Sequence, residues 1–140
     1  MLKRTANAHW NGNLKEGKGN ISTQSTTLNK TQYSFNARFA EGVGTNPEEL
    51  LGAAHAGCFT MALSATLEQA GFIANDLDTK ASVELNPGTL TITSITLDLT
   101  AAPINGLSAD QFQGYAKAAK ENCPLSKALA SVAITLNVKY

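Results

Sequence analysis

The sequence predicts an α+β domain, with strands grouped before and after one long apolar helix. Three observations predict it. Residues 45–72 read as about six turns of helix with a start and a stop signal. Strand-like runs bounded by turn residues lie on both sides of that helix. No internal repeat, low-complexity segment or linker divides the 140 residues, so residues 1–140 read as a single domain.

The central helix begins where Asn46 can cap free backbone N–H groups and Pro47 suits the first helical position. Glu48 and Glu49 follow at the positive end of the helix dipole, and Gly71 supplies the usual stop. No charged residue occurs from Leu50 to Leu63, and the large apolar side chains of that run point in every direction. A surface helix has one apolar stripe and one charged face, so this helix is expected to be buried on most sides. Gly52, Ala53, Ala54, Ala56 and Gly57 would let other backbones approach closely, and Cys58 sits in the middle of the run.

Before the helix, residues 5–10 and 18–23 read as strands around an Asn11-Gly12-Asn13 turn. Residues 32–39 alternate, with Tyr33, Phe35, Ala37 and Phe39 on one side and Ser34, Asn36 and Arg38 on the other. That pattern reads as a third strand with Arg38 opposite the aromatic face. Residues 40–44 form a glycine-containing loop into the helix.

After the helix, residues 77–85 and 90–101 read as strands joined by the turn Asn86-Pro87-Gly88, the second half-buried by its alternation. Residues 103–107 are loop. Ser108 with Gln111 three positions on makes a capping box for a second helix ending near Asn122. Proline pushes the residue before it out of the α region while suiting a first helical turn itself. Cys123 is therefore expected at a joint before a short helix over 124–130, and a last strand covers 132–138.

Composition narrows the function classes. Eleven basic and eleven acidic residues balance, with no basic cluster larger than Lys3-Arg4, so nothing asks for nucleic acid or a membrane surface. Charged residues are 16% against a usual value of about 25%, a hint that a partner chain covers part of the surface. Residues 1–12 carry no apolar signal region, and the uncharged run 50–63 falls short of the roughly 20 residues a membrane span needs. A cytoplasmic protein is expected. Two cysteines in such a chain are buried thiols or redox chemistry, not a disulfide scaffold.

Each candidate for chemistry has a plain structural alternative. Cys58 and Cys123 lie in apolar surroundings where inert thiols are common. Against that, Cys58 lies in a small-residue helix and Cys123 at a helix start whose dipole favours a thiolate. A disulfide between them requires their two helices to touch. Arg38 is either functional or part of a solvated strand face, and Glu48 and Glu49 on the simplest reading only serve the dipole. His55 precedes Cys58 by three positions, so a Cys–His nucleophile pair for acyl transfer is conceivable. His9, His55 and the two cysteines lack the paired spacing of a zinc site. A ligand-binding dimer with inert thiols is the remaining alternative.

The segment GTNPEELLGAAHAGCF resembles the signature of the OsmC/Ohr family, the osmotically inducible protein C and organic hydroperoxide resistance proteins. AHWNGNLKEGKGNIST, YSFNARF and ENCPLSKAL match in the family's order, and the AHW…GKG and AHAGC forms resemble the OsmC branch. The resemblance implies antiparallel sheets around a long buried central helix, in an intertwined homodimer. It implies a thiol peroxidase of stress defence, acting on organic hydroperoxides and less well on hydrogen peroxide. No metal or bound cofactor is implied; the partner is a dithiol reductant, of lipoyl type. Cys58 matches the peroxidatic cysteine, Cys123 the resolving one, Arg38 the OsmC-branch arginine, and Glu48 the glutamate ten residues before the reactive cysteine. His55 is then a packing residue.

The chemistry suits those residues. A thiolate attacks the peroxide, becomes a sulfenic acid, and condenses with a second thiol. A free cysteine is roughly 3% thiolate at neutral pH, so lowering its pKa gains at most about 30-fold, or about 2 kcal/mol of barrier. Arg38 is therefore expected to hold the peroxide and the developing alkoxide as well, with Glu48 holding its guanidinium fork. Phe39, Phe59 and Met61 are expected to line an apolar pocket. Glu48 and Cys58 are ten residues apart on one helix, about 15 Å along its axis, so Arg38 and Glu48 are expected to serve the Cys58 of a partner chain.

Overall fold

Gly12, at φ 106°, reverses the chain between strand β1 (Ala6–Asn11) and strand β2 (Lys18–Thr23). The computed structural model describes residues 1–140, which divide into two compact units, residues 1–50 and 51–140. In the first unit β2 pairs antiparallel with β1 and with β3 (Thr31–Tyr33). Gly19 faces Trp10 on one side and Tyr33 on the other. A Cβ there would lie 2.5 Å from ring atoms of both, so only glycine lets the two rings meet at 5.5 Å.

Residues 32–39 do not form one strand. After Tyr33 the chain turns into a short helix, α1 (Phe35–Phe39). The Ser34 hydroxyl accepts the Ala37 N–H at 3.1 Å, a serine N-cap that the alternating pattern conceals. Phe35 and Phe39 are four residues apart, which places them on one side of a helix as readily as on one face of a strand. Their ring centroids are 5.0 Å apart. Arg38 accordingly is not set opposite the aromatics: its Cζ lies 5.2 Å from the Phe39 ring centre.

Asn46 fastens the end of α1 to the start of α2 (Pro47–Gln69). Its Oδ1 accepts the Glu49 N–H at 2.9 Å, and its Nδ2 donates to the Ala37 carbonyl at 3.0 Å. Gly71, at φ 89°, marks the end of α2 as expected.

In the second unit β4 (Leu77–Asn86) and β5 (Thr91–Ala101) form the expected hairpin, with Asn86 Oδ1 accepting the Gly88 N–H at 2.9 Å. The last strand, β6 (Ala133–Lys139), runs parallel to β5. The expectation of antiparallel sheets thus holds for every strand pair but this one. The reason is the connection: α3 (Ala109–Asn122) and α4 (Pro124–Ala128) fill the path from β5 to β6, long enough for the crossover that parallel pairing requires. The Ser108–Gln111 capping box at the start of α3 is formed in full.

The core lies between this sheet and the helices. Ile95, Leu97 and Leu99 point inward from β5, against Phe59, Leu63 and Leu67 of α2 and Phe112, Ala116 and Ala119 of α3. Each large side chain so buried contributes about 1.5–3 kcal/mol. Within one chain, α2 is not buried on most sides. Gly52, His55, Phe59, Leu63 and Leu67 form its buried stripe, while Ala53, Ala54, Gly57, Met61 and Ala65 are exposed, Met61 to 75%. By length and composition α2 could cross a bilayer, but its buried stripe belongs to the core just described.

Candidate functional site

Cys123 is fully buried at the joint between α3 and α4, at φ −59° and ψ 126°, held out of the helical region by Pro124. Its thiol is hydrogen-bonded to that of Cys58, 2.7 Å away on α2. Both are free thiols, and Cys58 is the less buried of the two. A disulfide needs sulfurs about 2 Å apart, so a bond between these two requires little movement. The helices do touch, as a disulfide between them demands.

Cys58 is not an activated thiol by its own chain's doing. Burial pushes its pKa up, and the hydrogen bond it shares with Cys123 pushes it further the same way. The Leu125 backbone N–H, donated to the Cys58 sulfur, opposes both in part. The start of α4, expected to favour a thiolate at Cys123, thus turns a free N–H toward Cys58 instead.

His55 does not pair with Cys58. Its ring is fully buried, and its Nε2 lies 2.8 Å from the Ser126 hydroxyl of α4. Nδ1 is buried without any partner, and burial lowers the pKa of the ring, which favours neutral imidazole. The Cys–His acyl-transfer alternative loses its geometric basis.

The second pair forms in the unit of residues 1–50. Arg38 Nη2 donates to Glu48 Oε1 at 2.9 Å, and Nε lies 3.2 Å from both carboxylate oxygens. Arg38 is more than a third exposed, so the pair stabilises the fold by only about 1 kcal/mol or less. Its value is directional: it fixes the plane of the guanidinium and leaves Nη1 unengaged by the chain. The neighbouring carboxylate has a different task, since Glu49 accepts the Thr45 hydroxyl at 2.6 Å.

Beside Arg38 lies a cleft of about 250 Å³, lined by Trp10, Leu14, Tyr33, Ser34, Phe35 and Phe39. Of the three residues expected to line an apolar pocket, only Phe39 does so. Phe59 is in the core with no exposure, because the period of α2 carries it to the buried stripe, and Met61 lies on the exposed side. Trp10, Tyr33 and Phe35 were missed as lining residues; the aromatic weight of residues 10 and 33–39 was the available signal. Leu125 and Ser126 lie within the ENCPLSKAL motif, but nothing in the sequence marks them as partners of Cys58 and His55. No three His, Cys, Asp or Glu side chains are grouped closely enough to hold a metal ion.

The family model described as OsmC-like protein matches residues 40–139. The chain is 46% identical over 130 residues to Peroxiredoxin OsmC of Escherichia coli (strain K12), covering 91% of this chain and 90% of that protein. It is 28% identical over 129 residues to Organic hydroperoxide resistance protein-like 1 of Staphylococcus epidermidis, covering 91% of each. Among solved structures, an organic hydroperoxide resistance protein OsmC from Legionella pneumophila superposes with a TM-score of 0.75 at 26% identity, covering 100% of this chain and 98% of that one. The organic hydroperoxide resistance protein OhrB of Bacillus subtilis gives 0.69 at 27%, covering 96% and 98%. The chain belongs to the OsmC family.

Proposed function

We propose that this protein is a thiol peroxidase that reduces organic hydroperoxides to alcohols, with Cys58 peroxidatic and Cys123 resolving. The observation that carries the reading is the approach of the two sulfurs to 2.7 Å, one on α2 and one at the α3–α4 joint. The names of its relatives, a peroxiredoxin and organic hydroperoxide resistance proteins, support the same chemistry. The Cys58 thiolate attacks one peroxide oxygen; the S–O bond forms, the O–O bond breaks, and the alkoxide leaves as alcohol once protonated. Cys123 then attacks the Cys58 sulfenic acid, the S–S bond forms and water leaves. A dithiol, of lipoyl type, reduces the disulfide.

Burial raises the Cys58 pKa, so an added positive group would favour its thiolate, and Arg38 is the residue that suits. Its guanidinium, held by Glu48, supplies Nη1 to a peroxide oxygen, while the aromatic cleft beside it receives the organic substituent. Hydrogen peroxide has no such substituent and is expected to be the poorer substrate. The ten residues of α2 between Glu48 and Cys58 favour a homodimer in which Arg38 and Glu48 of one chain serve Cys58 of the other. The exposed small-residue side of α2 is the surface on which the chains would meet. On this reading residues 1–140 work as one peroxidase domain, in the reducing cytoplasm that two free thiols suit, and in defence against oxidative and osmotic stress.

The test is consumption of cumene hydroperoxide and of hydrogen peroxide with a dithiol as reductant, followed by peptide mapping after one equivalent of oxidant. Faster turnover of the organic peroxide and a Cys58–Cys123 disulfide within one chain are expected. A stable sulfinic acid at Cys58 with Cys123 still free would remove the resolving role.

A further inference from the structure

The contact between His55 and Ser126 has no place in the peroxidase chemistry above. The two residues are 71 positions apart, both buried, and joined by a hydrogen bond of 2.8 Å. His55 stands three residues before Cys58 on α2, and Ser126 stands three residues after Cys123. The bond therefore ties the same two segments that the sulfurs join, one helical turn away from them.

What it ties down is weak by itself. α4 is only five residues long, and Cys123 offers it no side-chain cap. A helix so short has little cooperative stability of its own. The other polar link from α4 to α2 near the sulfurs is the Leu125 N–H to Cys58, and it depends on that sulfur's state. The His55 bond does not. The ring is also retained at a cost: its Nδ1 is buried without a partner, a penalty that an apolar side chain would avoid. Packing alone gives no reason for an imidazole here.

We propose that His55 and Ser126 form a positioning latch that holds Cys123 against Cys58 through the oxidation of Cys58. The inference rests on the peroxidase reading above. Once Cys58 is a sulfenic acid, two reactions compete for it. Attack by the Cys123 sulfur forms the S–S bond and breaks the S–O bond, and hydroxide leaves as water with the Cys123 proton. Attack on a second hydroperoxide instead forms a second S–O bond, breaks another O–O bond and releases another alcohol, leaving a sulfinic acid. A joint that swings away from Cys58 slows the first reaction and leaves the second unchanged. The latch determines how often the thiol survives a turnover.

The experiment uses the reduced full chain as wild type, Ser126→Ala, His55→Leu and His55→Gln, whose amide reaches roughly where Nε2 lies. Each is treated with rising multiples of cumene hydroperoxide and weighed intact, since a disulfide and a sulfinic acid differ in mass. In Ser126→Ala and His55→Leu the sulfinic fraction at a given excess is expected to rise about tenfold, the factor that loss of one ordinary hydrogen bond can set. The initial rate of Cys58 oxidation should stay within about threefold of wild type, and His55→Gln should recover most of the protection. The reduction potential of the disulfide should become less negative by about 30 mV for that tenfold change. Ser126→Ala is the least disruptive change and carries the test alone if His55→Leu does not fold. Wild-type partition in Ser126→Ala overturns the latch, as does an equal loss in both oxidation steps. A wild-type protein that forms no Cys58–Cys123 disulfide overturns the peroxidase reading instead.

Discussion

Arg38 carries three N–H-bearing nitrogens on one plane, and two of them are committed to Glu48. Such a group acts by orientation as much as by charge. Arg38→Lys retains the charge on a single ammonium, which can meet Glu48 or a peroxide oxygen but has no rigid fork to do both. Turnover of organic hydroperoxide is expected to fall by about two orders of magnitude, the usual loss when an electrostatic donor is removed from a reacting oxygen. The Cys58 pKa, read by thiolate absorbance, should move little. Near-normal turnover would show that charge alone is enough. At this scale the motifs named Cys58, Cys123, Arg38 and Glu48, and the fold brings the first two together and the last two together; the sequence was silent wherever a partner came from far along the chain. Nothing in the sequence links His55 to Ser126, because the contact depends on how α4 settles against α2.

Elements were legible in proportion to the strength of their end signals. The capping box at Ser108, the Asn86-Pro87-Gly88 turn and the Cys123-Pro124 joint are all local chemistry, and each formed as read. Residues 35–39 are ambiguous in sequence because two phenylalanines four apart satisfy both a strand and a helix, and the Ser34 cap makes them a helix. The parallel β6 follows from two helices standing between it and β5, an arrangement the strand patterns alone do not convey. The period of α2 was hidden by its uniform apolarity, so its exposed side emerged only from the fold. Gly57 lies on that side, and a Cβ added there would meet no atom within 4 Å in the single chain. Gly57→Leu should therefore leave a lone chain intact, and helix propensity alone would favour it by up to about 1 kcal/mol. If two α2 helices close on each other at their small residues, the leucine side chain blocks the approach. Sedimentation is expected to show dimeric wild type and largely monomeric Gly57→Leu with unchanged helix content. A variant that remains dimeric would mean that the chains do not meet on this side of α2.

At the scale of the whole molecule, the remaining issue is whether one chain suffices for catalysis. Helix α2 carries Glu48 in its first turn and Cys58 near its middle, and ten residues of rise are about 15 Å. A glutamate with its paired arginine does not readily span that length along its own helix. Two antiparallel copies of α2 would bring the start of each toward the middle of the other, so that each site takes Arg38 and Glu48 from one chain and Cys58 and Cys123 from its partner. Co-expression of Cys58→Ser and Arg38→Ala chains separates the possibilities. Homodimers of either variant have two inactive sites. A heterodimer with shared sites has one site that combines both lesions and one that combines the intact Cys58 with the intact Arg38. Random pairing makes about half of the dimers mixed, so roughly a quarter of wild-type turnover is expected to return. If each site is built within one chain, the Cys58→Ser chain lacks its nucleophile and the Arg38→Ala chain its donor in every pairing. The mixture would then be no more active than the two variants assayed apart, and the dimer would have no part in assembling the site.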